Sequence, residues 1–209
     1  MLAALLGFAA ASVLIVLLPG PDTLVVVRNL LRGGRRRAAS TVVGVLTGLV
    51  IWVLAASLGL SAMLRASHTG YDVLRYVGGA YLIWIGIQSL RSRAVMTTEG
   101  AEAVARSHRP LLGSGYVAGL ATDLLNPKVG VFFVSFLPGF VPDSGWSVGW
   151  TTFALGAWYT VLTALYFVGL IALSGTVAGW MRSPGIRRRL DTLTGLVLVG
   201  FGVRLATEA

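Results

Sequence analysis

The chain has no cysteine, eight acidic residues and little charge of either sign. The lack of cysteine excludes a disulfide framework, a thiolate metal site and thiol redox chemistry, and it leaves the compartment open. Charged residues make up 12% of 209 positions, against 56% hydrophobic, where a soluble domain carries roughly 25% charged residues. That scarcity argues against an ordinary soluble fold. Only two histidines occur, His68 and His108, both in loops. Neither the His-Glu zinc pattern nor the strand-elbow serine context is found, which speaks against an intramembrane enzyme. The formal charge of +9 would suit nucleic acid only with a basic face carrying aromatic or groove-reading elements. Here the basic residues fall between apolar runs, as membrane-anchoring loops do.

What the chain does have is apolar length. A bilayer core of roughly 30 Å needs about 20 helical residues. Six segments qualify: 2–31, 40–62, 73–90, 113–140, 147–173 and 190–206. Residues 1–18 carry no basic n-region, and the apolar pattern continues past Asp22, so this stretch reads as part of the first span rather than a leader. The connecting stretches "RGGRRR" at 32–37, "RASHTG" at 65–70, "VPDSGW" at 141–146 and "RSPGIRRR" at 182–189 read as loops. Thirteen Lys and Arg fall in the loops after spans one, three and five, three fall on the opposite side, and Lys128 lies within span four. Basic loops stay cytoplasmic, so the expectation is N-out and C-out.

Spans one and four are too long for one straight crossing, and both carry polar breaks, at 19–22 and 126–128. Both are expected to be discontinuous helices. Pro21 and Pro127 stand 106 residues apart, as do Trp52 and Trp158; at that offset Leu18 matches Leu124 and Asp22 matches Lys128. "GGAYLIWIG" from Gly78 resembles "TGLVLVGFG" from Thr194 at an offset of 116. Three spans per half is an odd number, so a direct sequence repeat would be inverted in the membrane. The expected architecture is therefore an all-α integral membrane protein with six transmembrane helices, arranged as two inverted three-helix repeats. It forms one domain over 1–209, with repeat one at 1–90, a cytoplasmic linker at 91–112 and repeat two at 113–209. Paired interruptions in inverted repeats point to a transport site near the bilayer midplane.

The candidate site follows from the breaks. Pro19, Gly20 and Pro21 remove two amide donors and add backbone freedom, and the freed carbonyls need partners inside the protein or in a wet cavity. A packed proline kink would explain the prolines, but not Asp22. A charge at helix-centre depth costs ~2.5–3.5 kcal/mol on insertion scales. Asp22 and Thr23 open the resumed half-helix, whose N–H groups and positive dipole end favour an anion. Span four supplies Asp123, Asn126, Pro127 and Lys128 within "TDLLNPKVG". Lys128 lies too deep to snorkel easily, so a buried pair with Asp22 or Asp123 is expected. Trp52, Trp84, Trp158, Tyr81, Tyr159 and Phe132 are weaker cavity candidates, since aromatic residues in spans more often pack or face lipid. Arg28 and Asn29 could gate or anchor at the interface. "GVLTG" (Gly44 to Gly48) and "GYVAG" (Gly115 to Gly119) match the small-xxx-small pattern of close helix packing, within the chain or at a homodimer face.

"LLPGPDTLVVVRNLLRGGRRR", "LRYVGGAYLIWIGIQSLRS" and "GLATDLLNPKVGVFFVSFLPGFV" together resemble the LysE/RhtB family of bacterial amino-acid exporters, through all six spans in order. The resemblance implies ion-driven export of amino acids or close derivatives across the bacterial inner membrane, with Pro19 to Asp22 and Asn126 to Lys128 forming the transport site. Proton coupling is expected, with no cofactor, no catalytic residue and no metal site. Asp22 and Asp123 are the only carboxylates at depth, and one offsets Lys128, so a neutral, zwitterionic substrate is preferred over lysine or arginine. Two other readings are a cation exchanger of a related six-span fold and a non-transporting membrane accessory protein. The first would want several acidic oxygen ligands; the second leaves the buried charges unexplained.

Overall fold

The structure, a computed structural model, describes residues 2–17, 19–66, 115–141 and 147–173 continuously, with isolated helical positions between 76 and 87 and between 185 and 203. Every element in these continuous stretches is helical. The expected third and sixth spans, the linker 91–112, both histidines and Tyr81 lie outside the continuously described residues. Two helical stretches are long and apolar enough to cross a membrane, 21–59 and 148–172, and a bent pair, 116–124 with 128–134, makes a third if taken as one.

Helix α1 (Leu2–Leu17) is apolar on every side and ends before Pro19, which has no N–H to continue the helical bonding. After Pro19 and Gly20 the chain resumes as α2 (Pro21–Ala66), with Pro21 as its first residue. Proline suits that place because its missing N–H would have had no partner there. The interruption of span one therefore falls where it was expected.

The stretch "RGGRRR" departs from expectation. It is helical except at Gly34, whose φ of 68° and ψ of −172° turn the chain. Asn29 Nδ2 donates to Thr41 Oγ1 at 2.9 Å; along a straight helix, twelve residues would separate them by roughly 18 Å. The two arms of α2 thus fold back on each other. Glycine supplies the left-handed conformation without steric cost, and the flanking arginines are good helix formers, so a single residue replaces a loop. Asn29 is buried in this hairpin, which gives it a packing role, while Arg28 beside it is half-buried.

Span four is broken as expected, one residue earlier in the chain. Helix α3 (Tyr116–Leu124) gives way at Leu125 and Asn126 to α4 (Pro127–Val131). Asn126 is extended, as a residue before proline prefers, and its side chain caps α4 by accepting from the Lys128 backbone N–H. Beyond α4 the helix widens to a π turn over Phe132–Phe136 and tightens to a 3-10 turn over Leu137–Phe140. Pro138 lacks an N–H and its ring would press on the carbonyl four residues back, and the widened turn relieves that clash. Helix α5 (Val148–Ala172) starts at Ser147, whose hydroxyl accepts from the Trp150 N–H.

The two glycine motifs meet. A Cβ on Gly44 would strike the Tyr116 carbonyl oxygen and the Leu120 nitrogen of α3, and one on Gly119 would strike the Thr41 carbonyl oxygen of α2. The faces of "GVLTG" and "GYVAG" are consumed by this contact within the chain, which seats α3 directly on the second arm of α2. Phe8, Ile15, Leu49, Phe132, Phe136 and Tyr159 belong to one buried cluster. Val26, Ala38, Val42, Val45, Phe167 and Leu170 form a second. Gly119→Ala should destabilise the fold by about 1–3 kcal/mol, the usual range for overpacking. The check is thermal unfolding in detergent, where an unchanged midpoint would mean that the helices are not in backbone contact.

Candidate functional site

Between the two clusters the breaks of spans one and four come together. Helix α5 shows the order: Leu155 and Tyr159 belong to the first cluster, Phe167 and Leu170 to the second. Thr163 lies between them and lines a cavity with Asp22, Thr23, Asp123, Asn126 and Lys128. Gly20, Tyr159 and Tyr166 complete its polar and backbone wall, and Val16, Leu49 and Val129 are among its apolar lining. The cavity measures about 30 Å³, room for one or two waters and not for an amino acid.

The backbone chemistry of the break can be followed atom by atom. In a continuous α-helix the carbonyl of Ile15 would accept from residue 19, and that of Leu17 from residue 21. Both are prolines with no N–H, so α1 ends with carbonyls that no helical donor can satisfy. The Lys128 ammonium takes the first of them: Nζ donates to the Ile15 carbonyl oxygen at 2.6 Å. A cation at a helix C-terminus also meets the negative end of the dipole. The Lys128 stem lies across the break itself, and a Cβ on Gly20 would sit 3.6 Å from its Cδ. Lys128 is therefore embedded rather than snorkelling, and its charge is directed at a backbone carbonyl as well as lying in the same cavity as Asp22.

Asp22 is held from the other broken span. Asn126 Nδ2 donates to Asp22 Oδ2 at 2.6 Å, and Asn126 Oδ1 accepts from the Lys128 backbone N–H at 3.0 Å. One amide thus caps α4 and ties it to the start of α2. The second oxygen of Asp22, Oδ1, is buried with no hydrogen-bond partner among the described residues.

Asp123 is fully buried, and neither of its carboxyl oxygens has a hydrogen-bond partner among the described residues. Its side chain fits because Gly48 faces it: a Cβ at that position would collide with Asp123 Oδ2. An unpartnered buried carboxyl is costly, and a close-packed wall that leaves room for it is a specific arrangement.

Of the sequence-derived candidates, Gly20, Asp22, Thr23, Asp123, Asn126 and Lys128 line the cavity. Pro19 and Pro21 flank it in the chain and act through the carbonyls they orphan, and Pro127 opens α4. Among the aromatic candidates, Tyr159 lines the cavity. Phe132 stacks on it with ring centres 4.1 Å apart. Trp52 stacks on Phe133, whereas Trp84 and Trp158 are exposed. Trp52 and Trp158, equivalent by offset, therefore sit in different surroundings. Sequence reading missed Thr163 and Tyr166, which form a polar face on α5 with Tyr159. Their spacing of four and three residues inside an apolar helix is the signal that could have found them. Tyr166 Oη lies 3.4 Å from Thr23 Oγ1, which joins α5 to the first turn of α2.

A model of the LysE type translocator family matches residues 13–209. This chain belongs to that family. It is similar to the threonine efflux protein of Salmonella typhi, 32% identical over 209 residues that cover 96% of this chain and 97% of that one. The threonine efflux protein of Escherichia coli (strain K12) is 30% identical over 215 residues, 98% of each chain. An uncharacterised membrane protein of Bacillus subtilis (strain 168) is 28% identical over 204 residues, covering 96% of this chain and 97% of the other. No solved structure gives a significant match. Family and hydropathy agree on a membrane-embedded transporter, and the cavity between its broken helices is the candidate site of this translocator.

Because Asn126 both caps α4 and holds Asp22, the two residues should be coupled. In a double-mutant cycle of Asp22→Ala and Asn126→Ala, unfolding free energies should depart from additivity by about 0.5–3 kcal/mol, the range for residues in contact. Strict additivity would mean that the bond between the spans contributes nothing.

Proposed function

We propose that this translocator is a secondary active exporter of amino acids or close derivatives across the bacterial inner membrane, coupled to protons and working by alternating access. The observation that carries the proposal is the bond from Asn126 to Asp22 at 2.6 Å, which brings the breaks of two sequence-distant spans to one buried cavity. The site consists of Pro19, Gly20, Pro21, Asp22, Thr23, Asp123, Asn126, Pro127 and Lys128, to which we add Tyr159, Thr163 and Tyr166. The chain forms one domain of six spans, N-out and C-out, with repeats at 1–90 and 113–209 inverted about an axis in the membrane plane. The local likeness of the breaks supports the repeat, since Pro21 and Pro127 each open a resumed half-helix.

Charge counting supports the coupling. Two carboxylates and one ammonium leave one surplus negative charge, and a single proton neutralises the site. A zwitterionic substrate adds no net charge, so a carrier that gives up the proton before it takes the substrate out, and returns empty with the proton bound, brings in one proton per cycle. A lysine or arginine substrate would need a further carboxylate, and for this reason neutral amino acids are preferred. The names of the two threonine efflux relatives put threonine first among those to try. One charge moved through the membrane potential supplies ~2.3 kcal/mol per 100 mV, enough to sustain a useful gradient by proton antiport.

The cavity as it stands, about 30 Å³, is too small for an amino acid and lies between the two apolar clusters. The α2–α3 contact, backbone against backbone, is the rigid part, and the side-chain bonds at the break are the part that can rearrange.

The test is transport by the purified protein in liposomes against a panel of amino acids led by threonine, with and without a pH gradient. The wild type should move a neutral amino acid, faster with the gradient. Asp22→Asn should abolish transport, and Lys128→Ala should lower it at least about tenfold, the loss of roughly 1.4 kcal/mol. Membrane insertion should be preserved in both. Normal transport by Asp22→Asn would remove that carboxylate from the mechanism.

A further inference from the structure

The Lys128 ammonium occupies a place that another ammonium could take. It donates to the Ile15 carbonyl oxygen at 2.6 Å, an acceptor left open because Pro19 has no N–H to offer it. Asp22 Oδ1, buried and without a partner among the described residues, belongs to the same cavity as Lys128. A helix-terminal carbonyl at the negative end of a dipole, joined through Lys128 to a cavity lined by a carboxylate, offers the chemistry that recognises a primary ammonium. With Lys128 forming part of its wall, the cavity of about 30 Å³ is too small to hold an amino acid.

We propose that the Ile15 carbonyl and Asp22 Oδ1 form the subsite for the substrate's ammonium, and that Lys128 fills this subsite as a built-in stand-in when no substrate is bound. The inference rests on the exporter reading above and specifies how that site handles its ligand. An entering amino acid replaces one ammonium with another at the same carbonyl, so the acceptor is never left unpaired. The displaced Lys128 ammonium then faces the substrate carboxylate. When the substrate leaves, Lys128 returns, and the empty carrier reorients without an orphaned carbonyl or an isolated lysine in its core. A static lysine that only attracts carboxylates would have no reason to be seated on the broken end of α1.

Loss of the Lys128 charge alone would favour any cation, whereas a tethered competitor holds off only a ligand that can donate to the Ile15 carbonyl. It lowers the apparent affinity of such a ligand by the fraction of time the subsite is filled. Tetramethylammonium, which has no N–H, is therefore the charge control, and an equal gain for it and for an ammonium ligand would overturn the stand-in. The test measures binding of threonine, tetramethylammonium, 1-amino-2-propanol (threonine without its carboxylate) and 3-hydroxybutyrate (threonine without its amino group) to the purified full chain. Wild type is compared with Lys128→Gln and Lys128→Met. Both variants should bind 1-amino-2-propanol about tenfold tighter than wild type and 3-hydroxybutyrate more weakly. A gain of affinity cannot come from misfolding, and two variants guard against a fault in either one. If amine binding is unchanged or weaker in both variants while the wild type still exports an amino acid from the panel, the stand-in is overturned and the exporter reading survives. A wild type that neither binds nor exports any amino acid overturns both.

Discussion

The interaction on which the site depends is the one between Lys128 and the Ile15 carbonyl. A helix broken by two prolines inside an apolar protein has carbonyls that must find donors, because the surroundings offer none. Water could serve at a surface. Here an ammonium from the other broken span does so at 2.6 Å. The same embrace runs in reverse through Asn126, which holds the carboxylate at the start of α2. Each break is thus completed by residues of the other, and neither half would be satisfied alone.

Around this polar junction the packing is uneven in a way that suits movement. The second arm of α2 and α3 touch backbone to backbone through Gly44 and Gly119, a contact with little slack. Gly48, in the same row, leaves room for the Asp123 carboxyl and fixes it against the scaffold. On the other side, α1 meets α4 through the hydrogen bond from Lys128 and meets the π and 3-10 turns beyond it through the aromatic contacts of Phe8 with Phe132, Phe136 and Phe140. The π turn at Phe132–Phe136 lies in this half, next to the break. Such turns are frequent at functional sites, and here the widened helix adjoins the segment that would have to shift.

Much of this was legible in the chain itself. Proline pairs inside apolar runs mark breaks, and charged residues at depth mark the polar junction, so 19–22 and 126–128 could be singled out without coordinates. The glycine rows could be read as close packing for the same reason: spacing alone puts them on one face. Direction and partner were not legible. Lys128 was expected in a buried pair with a carboxylate or in a cavity site, and it does line one cavity with Asp22 and Asp123. Its bond to the Ile15 carbonyl was not foreseen, because backbone acceptors leave no mark in residue identity. Only the absence of N–H at Pro19 hinted at it. The reversal between spans one and two was expected at 32–37, but its form, helix on both sides of a single Gly34, was hidden because a glycine beside arginines reads as loop. Thr163 and Tyr166 were passed over because hydroxyls in an apolar helix usually bond their own backbone, as Thr160 and Thr163 in fact do.

The proposed function turns on one claim, that the junction of the two breaks is where the transported molecule binds. The most direct measurement is an experimentally determined structure of the full chain with an exported amino acid bound. The account predicts that the ligand lies between Ile15, Asp22 and Lys128, in a cavity enlarged from its present 30 Å³. A ligand bound elsewhere, with the bonds from Asn126 to Asp22 and from Lys128 to Ile15 both intact, would contradict it.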